Sequence, residues 1–175
     1  MSSLPSYLIG LLFFNTGFNA YRADVNSKEA FSDLGWNMGA EYQFYTPDKI
    51  SISGLFDYSD LSPNAYGVVQ NEVFHVGMAV DFSPVKNPSN QLYIGGMLQS
   101  TFEGNIVTGL RTGYIRKLDF KGNKSAWVGI EFRLKYYTQD DFLDEINSNV
   151  GQESMPGDVL GTAAIKFGLP FERKR

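Results

Sequence analysis

Along most of the chain, apolar and polar side chains alternate with a period of two, the mark of strands rather than helices. Eight such runs lie at about 7–20, 34–45, 49–59, 72–83, 91–102, 105–118, 125–138 and 159–171, separated by turn residues. Their number is even, their spacing is regular, and no helical crossover intervenes. The pattern predicts an all-β chain, one domain over residues 1–175, folded as an eight-stranded antiparallel up-and-down barrel. One short helix is expected at 140–146, inside the polar stretch 139–158. Connections 21–33, 60–71 and 139–158 are long, whereas 46–48, 84–90 and 119–124 are short, so one end carries most of the loop mass.

The two faces of each run differ sharply. The second run sets Leu34, Trp36, Met38, Ala40, Tyr42 and Phe44 against Gly35, Asn37, Gly39, Glu41 and Gln43. The seventh sets Ala126, Val128, Ile130, Phe132, Leu134 and Tyr136 against Trp127, Gly129, Glu131, Arg133 and Lys135. Such alternation has two readings. A soluble, lipocalin-like barrel points the apolar face inward, around a hydrophobic ligand. A membrane barrel reverses the faces, with apolar side chains in lipid and polar ones inside.

Three features favour the reversed reading. The polar face is rich in glycine (Gly35, Gly39, Gly77, Gly95, Gly129, Gly168), which weakens a water-facing strand but suits a narrow interior. The clear apolar faces carry no charge. Aromatics sit at their ends and form an expected girdle of Trp36, Phe44, Phe74, Phe82, Tyr136, Phe167 and Phe171. Trp36 to Phe44 spans about 27 Å of strand, or roughly 20 Å of height at a ~40° tilt, within the apolar band of an outer-membrane barrel.

With eight amphipathic strands, short turns at one end, longer loops at the other and the ending Ile165, Phe167, Leu169, Phe171, the chain resembles small eight-stranded outer-membrane β-barrels of the outer-membrane protein A and X type. The resemblance covers nearly the whole chain. It implies a transmembrane β-barrel in a bacterial outer membrane, surrounded by membrane lipid. It also implies the barrel-assembly machinery as a partner during biogenesis, reading the aromatic-rich last strand. Here Glu172-Arg173-Lys174-Arg175 follows, where the family usually stops at the aromatic.

Composition narrows the chemistry. There is no Cys, which removes disulfides, thiolate metal sites and cysteine nucleophiles, and the single His rules out a multi-His metal centre. Lys plus Arg number 15 against 19 Asp plus Glu, giving a net charge of −4 and no basic surface for nucleic acid. No phosphate loop or dinucleotide fingerprint is present, so no cofactor and no metal are expected. The six acids within 139–158 read as a solvated loop. The apolar run 7–14 could be the core of a signal peptide ending near Ala20. However, no Lys or Arg precedes Arg22, and Phe18 stands where cleavage wants a small residue.

Charges on the polar faces separate by sign. Glu41, Asp57 and Asp81 lie on runs two to four, and Arg111, Lys117, Arg133, Lys135 and Lys166 on runs six to eight, with Glu131 the exception. In a closed barrel these halves face each other, and charges withdrawn from water need partners. An interior ion-pair network of Glu41, Asp57, Asp81, Arg111, Glu131, Arg133, Lys135 and Lys166 is therefore expected to fill the lumen. The expected role is structural or interactive, through loops 21–33, 60–71 and 139–158, where a protein partner would bind. The enzymatic alternative is a lipid-modifying hydrolase using His75. Hairpin symmetry about residue 66 sets His75 opposite Asp57, with Ser53 or Ser59 as nucleophile. No His-x-Ser motif supports it, and a structural His75 near Asp57 at the long-loop end is the first expectation.

Overall fold

The computed structural model describes residues 7–25, 28–31, 34–44, 49–61, 71–102, 104, 106–121, 124–137 and 159–173. They form nine antiparallel strands: β1 Tyr7–Val25, β2 Lys28–Phe31, β3 Gly35–Phe44, β4 Ile50–Leu61, β5 Asn71–Lys86, β6 Asn90–Thr101, β7 Ile106–Phe120, β8 Lys124–Tyr137 and β9 Val159–Arg173. Each predicted run falls on one strand. No helix occurs among the described residues, and the helix expected at 140–146 lies outside them. Segment 21–33 was expected to be a loop. Instead Arg22–Val25 continues β1 and pairs with Lys28–Phe31, so the first hairpin projects beyond the barrel.

Pairing of β1 with β9 closes the sheet, and β2 is an appendage to β1, so eight strands form the barrel. The register fixes its dimensions. From Gly10 the paired residues run Phe44, Ile52, Val80, Gly96, Leu110, Leu134 and Gly161, and return to β1 at Ala20. That displacement of ten residues over eight strands sets a tilt of ~40° and a backbone radius of roughly 8 Å. A lumen of that radius is just wide enough for side chains to fill.

Burial shows which face is which. Exposed positions are the apolar ones, including Phe18 at 66%, Met78 at 56%, Leu110 at 64% and Ile165 at 61%. Of the expected girdle, Trp36, Phe44, Phe74, Phe82, Tyr136 and Phe167 all face outward, and Phe171 lies in β9 opposite Gly10. At the loop end the rings of Trp36, Tyr58, Phe74, Phe102 and Phe56 contact one another across β3 to β6. Among the described residues the buried positions are mostly the polar ones, joined by Val73, Val107, Tyr137 and Leu160 and by two packed apolar clusters. Leu11, Phe13, Tyr93 and Ile115 pack with Trp127 toward the turn end, and Leu55, Ala79 and Met97 form the other. Glycine makes this packing possible: a Cβ at Gly168 would overlap the Phe13 ring, and one at Gly113 the Tyr93 ring.

An arginine on the outward face at mid-height should oppose insertion. Met78→Arg and Ile130→Arg are each expected to lose ~2–4 kcal/mol of folding free energy in a bilayer. Denaturant titration of the reconstituted protein measures the loss, and unchanged midpoints at both sites would reverse the assignment of faces.

Candidate functional site

The interior is the chemically distinctive part of the molecule. Strand alternation aims every second residue inward, and among the described residues nine acidic or basic side chains are thereby buried. They are Glu41, Asp57, Asp81 and Glu131, Arg111, Arg133, Lys135 and Lys166, and His75. The four acids and four bases balance.

Arg111 of β7 stands at the centre. Its Nη1 and Nη2 donate to the Glu41 carboxylate at 2.9 and 3.1 Å, and its Nε donates to Asp81 Oδ1 at 2.7 Å. Nη2 also donates to the second Asp81 oxygen and, at 3.2 Å, to Ser53 Oγ. One guanidinium thus joins β3, β4 and β5 to β7. Arg133 of β8 bridges Asp57 and Glu131, each at 2.5 Å. Lys166 of β9 donates to Glu41 at 2.6 Å, to Glu131 at 3.1 Å and to Tyr93 Oη at 3.2 Å, with its ammonium 4.7 Å from the centre of the Phe13 ring. Lys135 lies 3.4 Å from Asp57. The structure therefore brings all eight network residues together. Asp81 meets Arg111 on β7 rather than Lys166 on the strand directly opposite, because a guanidinium with five donors reaches both walls of so narrow a lumen. Lys117 stands apart at the turn end, where it pairs with Asp119 at 3.1 Å.

Uncharged residues complete the network. Tyr93 Oη donates to Glu131 at 2.5 Å, and Gln99 Nε2 donates to Asp57 at 2.7 Å. Both alternate with the outward Leu92, Ile94 and Leu98 of β6, and without charge they stand out in the sequence by nothing else.

His75 is fully buried and sits opposite Asp57 in the β4–β5 register. Its hydrogen bond goes instead to Tyr137, with Nε2 and Oη 2.8 Å apart, and its Nδ1 has no partner. Asp57 is already held by Arg133, Lys135 and Gln99, which leaves the imidazole to the tyrosine. Ser53 Oγ is engaged by Arg111, and Ser59 Oγ has no hydrogen-bond partner. Among the described residues no serine–histidine–aspartate relay is assembled around the buried imidazole.

Unpartnered polar atoms gather on the loop side of the charged belt: Asn19 Oδ1, Asn37 Oδ1, Ser59 Oγ, Gln99 Oε1, Thr162 Oγ1 and His75 Nδ1. They come from six strands and are the kind of buried group that internal water satisfies. Among the described residues no group of three or more His, Cys, Asp or Glu is arranged to hold a metal, and the acids of 139–158 lie outside them.

No protein-family model matches the chain, and no curated protein matches it. Among solved structures it is similar to the crystal structure of Neisserial surface protein A (NspA). The TM-score is 0.53 at 9% identity, over 91% of this chain and 97% of that one. The likeness is one of fold: a single barrel architecture carried by almost unrelated sequences.

Removing a central cation should leave buried carboxylates uncompensated. Arg111→Ala and Arg133→Ala are each expected to destabilise the barrel by about 3–5 kcal/mol. Urea unfolding in lipid or detergent reads this directly, and losses below 1 kcal/mol would show that the network does not hold the strands.

Proposed function

We propose that this chain is an integral β-barrel of a bacterial outer membrane. In this reading its interior is plugged against solutes, and it acts structurally or as an interaction protein through loops 21–33, 60–71 and 139–158. What supports it is the inversion of faces. A band of exposed Phe, Leu, Ile, Val and Met surrounds a core of balanced charge, whereas a soluble barrel buries the first and exposes the second. Neisserial surface protein A shares the fold and is, by its name, a surface protein.

The same geometry supports the closed reading. Side chains of β3, β4, β5, β7, β8 and β9 meet near the barrel axis through Arg111, Arg133 and Lys166. Toward the turn end, Leu11, Phe13, Tyr93, Ile115 and Trp127 fill the lumen again. A solute would have to displace both layers. With catalysis unsupported by the surroundings of His75, this reading assigns the role to the three longest connections of the chain, 21–33, 60–71 and 139–158.

Extraction tests the membrane reading: folded protein should require detergent or lipid to stay in solution. Single channels in planar bilayers test closure, and the expected result is no stepwise current. A monodisperse detergent-free monomer would overturn the first claim, and a steady ohmic conductance the second.

A further inference from the structure

Every charged residue of the chain falls into one of three groups. The loop-side segments 20–34, 60–72, 102–105 and 138–158 hold twelve acids and two bases. The interior holds four of each. The turn-side segments 45–49, 84–90, 116–124 and 170–175 hold nine bases and three acids. A net charge of −4 thus conceals a strongly acidic end and a basic one.

The described part of the basic end has a definite geometry. Lys49, Arg116, Lys121 and Lys124 are exposed and have no acidic partner among the described residues. Asp119, the acid of this end whose side chain is described, is taken by Lys117. Arg116 is unusual in pointing outward from β7, in the row Leu110, Thr112, Tyr114, Arg116, Leu118, Phe120. It lies between Asn90 of β6 and Val128 of β8, and Tyr114 Oη donates to Asn90 Oδ1 at 2.5 Å beside it. Leu118 and Phe120 are exposed beyond it, and Leu92 and Tyr114 before it. A guanidinium is therefore set into the edge of the apolar band, with lysines at the tip of the same hairpin.

We infer that the turn-side rim of β7 and β8 is a docking surface for anionic phospholipid headgroups. Arg116 takes the phosphate in bidentate fashion, Lys121 and Lys124 add charge around it, and Leu92, Leu118 and Phe120 pack on the glycerol and upper acyl carbons. This rests on the membrane reading and extends it to a lipid class and an orientation. A cation at the edge of an apolar surface needs a counter-ion, and no described carboxylate is paired with Arg116, Lys121 or Lys124. Arginine's planar fork matches a phosphate, and lysine stems reach the interface from an apolar foothold.

The test uses the full chain reconstituted in bilayers containing spin-labelled phosphatidylglycerol or phosphatidylcholine, at low salt. Motionally restricted phosphatidylglycerol should exceed phosphatidylcholine, and the preference should fall by roughly fivefold for each basic residue removed near the surface. The triple variant R116Q/K121Q/K124Q should therefore retain almost none of it. Arg116→Lys, which keeps the charge but not the fork, should lose part. Equal affinity for the two lipids, or a preference that survives the triple variant, overturns the proposal. Insertion is scored separately, by protease protection of the strands. A chain that inserts without lipid preference refutes the docking surface alone, and one that fails to insert refutes the membrane reading beneath it.

Discussion

The structure depends on charges that neutralise one another in a space too small to hydrate them. With a backbone radius of roughly 8 Å, the lumen accommodates four carboxylates and four cations only as mutual partners. Their bonds run across the barrel as well as along its wall, so Arg111 couples β7 to β3 and β5, and Lys166 couples β9 to β3 and β8. A sheet that would otherwise be held only by its neighbouring ladders acquires cross-braces. Buried pairs of this kind are not inexpensive stability, because desolvation offsets much of the attraction. Their contribution lies instead in linking strands that do not neighbour one another in the sheet.

The same constraint fixes the register. A one-residue slip of any strand turns its inner face outward. For β7 that would expose Arg111 to the apolar surround and drive Leu110 into the ionic belt. Glycine enforces the arrangement from the other side. Where Phe13 and Tyr93 lie flat against the wall, the facing residues Gly168 and Gly113 have no Cβ to obstruct them. Large polar and aromatic groups on one strand are thus matched by absent side chains on another, which explains why the polar faces of so many strands are rich in glycine.

Much of this was legible in the sequence. Alternation alone located the strands, because a strand buried on one face and exposed on the other leaves a period-two record. The sign separation of Glu41, Asp57 and Asp81 from Arg111, Arg133, Lys135 and Lys166 marked which residues belong to the interior belt. The pairing within it was not legible. Opposite strands predict diameters, but side-chain length and donor count decide which wall each cation reaches, and Arg111 takes two. His75 illustrates the same limit. Hairpin symmetry put it opposite Asp57, which the register shows, yet its hydrogen bond goes to Tyr137, 62 positions away. The β1–β2 extension left no clean pattern, since its residues continue beyond the apolar band and are free of the constraint that writes one.

The closing seam between β1 and β9 has a consequence for how the molecule comes into being. Leu12 pairs with Leu169 and Phe14 with Phe167, so the first strand waits for the last before its outer ladder is satisfied. Until then both edges present unpaired backbone groups, which invite pairing with other chains. The seam also brings together residues from the two extremes of the chain, the slowest kind of contact to find. Closure therefore comes late, and an unclosed sheet with its ionic groups still exposed has every reason to aggregate. The hydrogen-bonding groups of β1 and β9 that face each other in the seam are therefore the last of the barrel wall to lose their exposure.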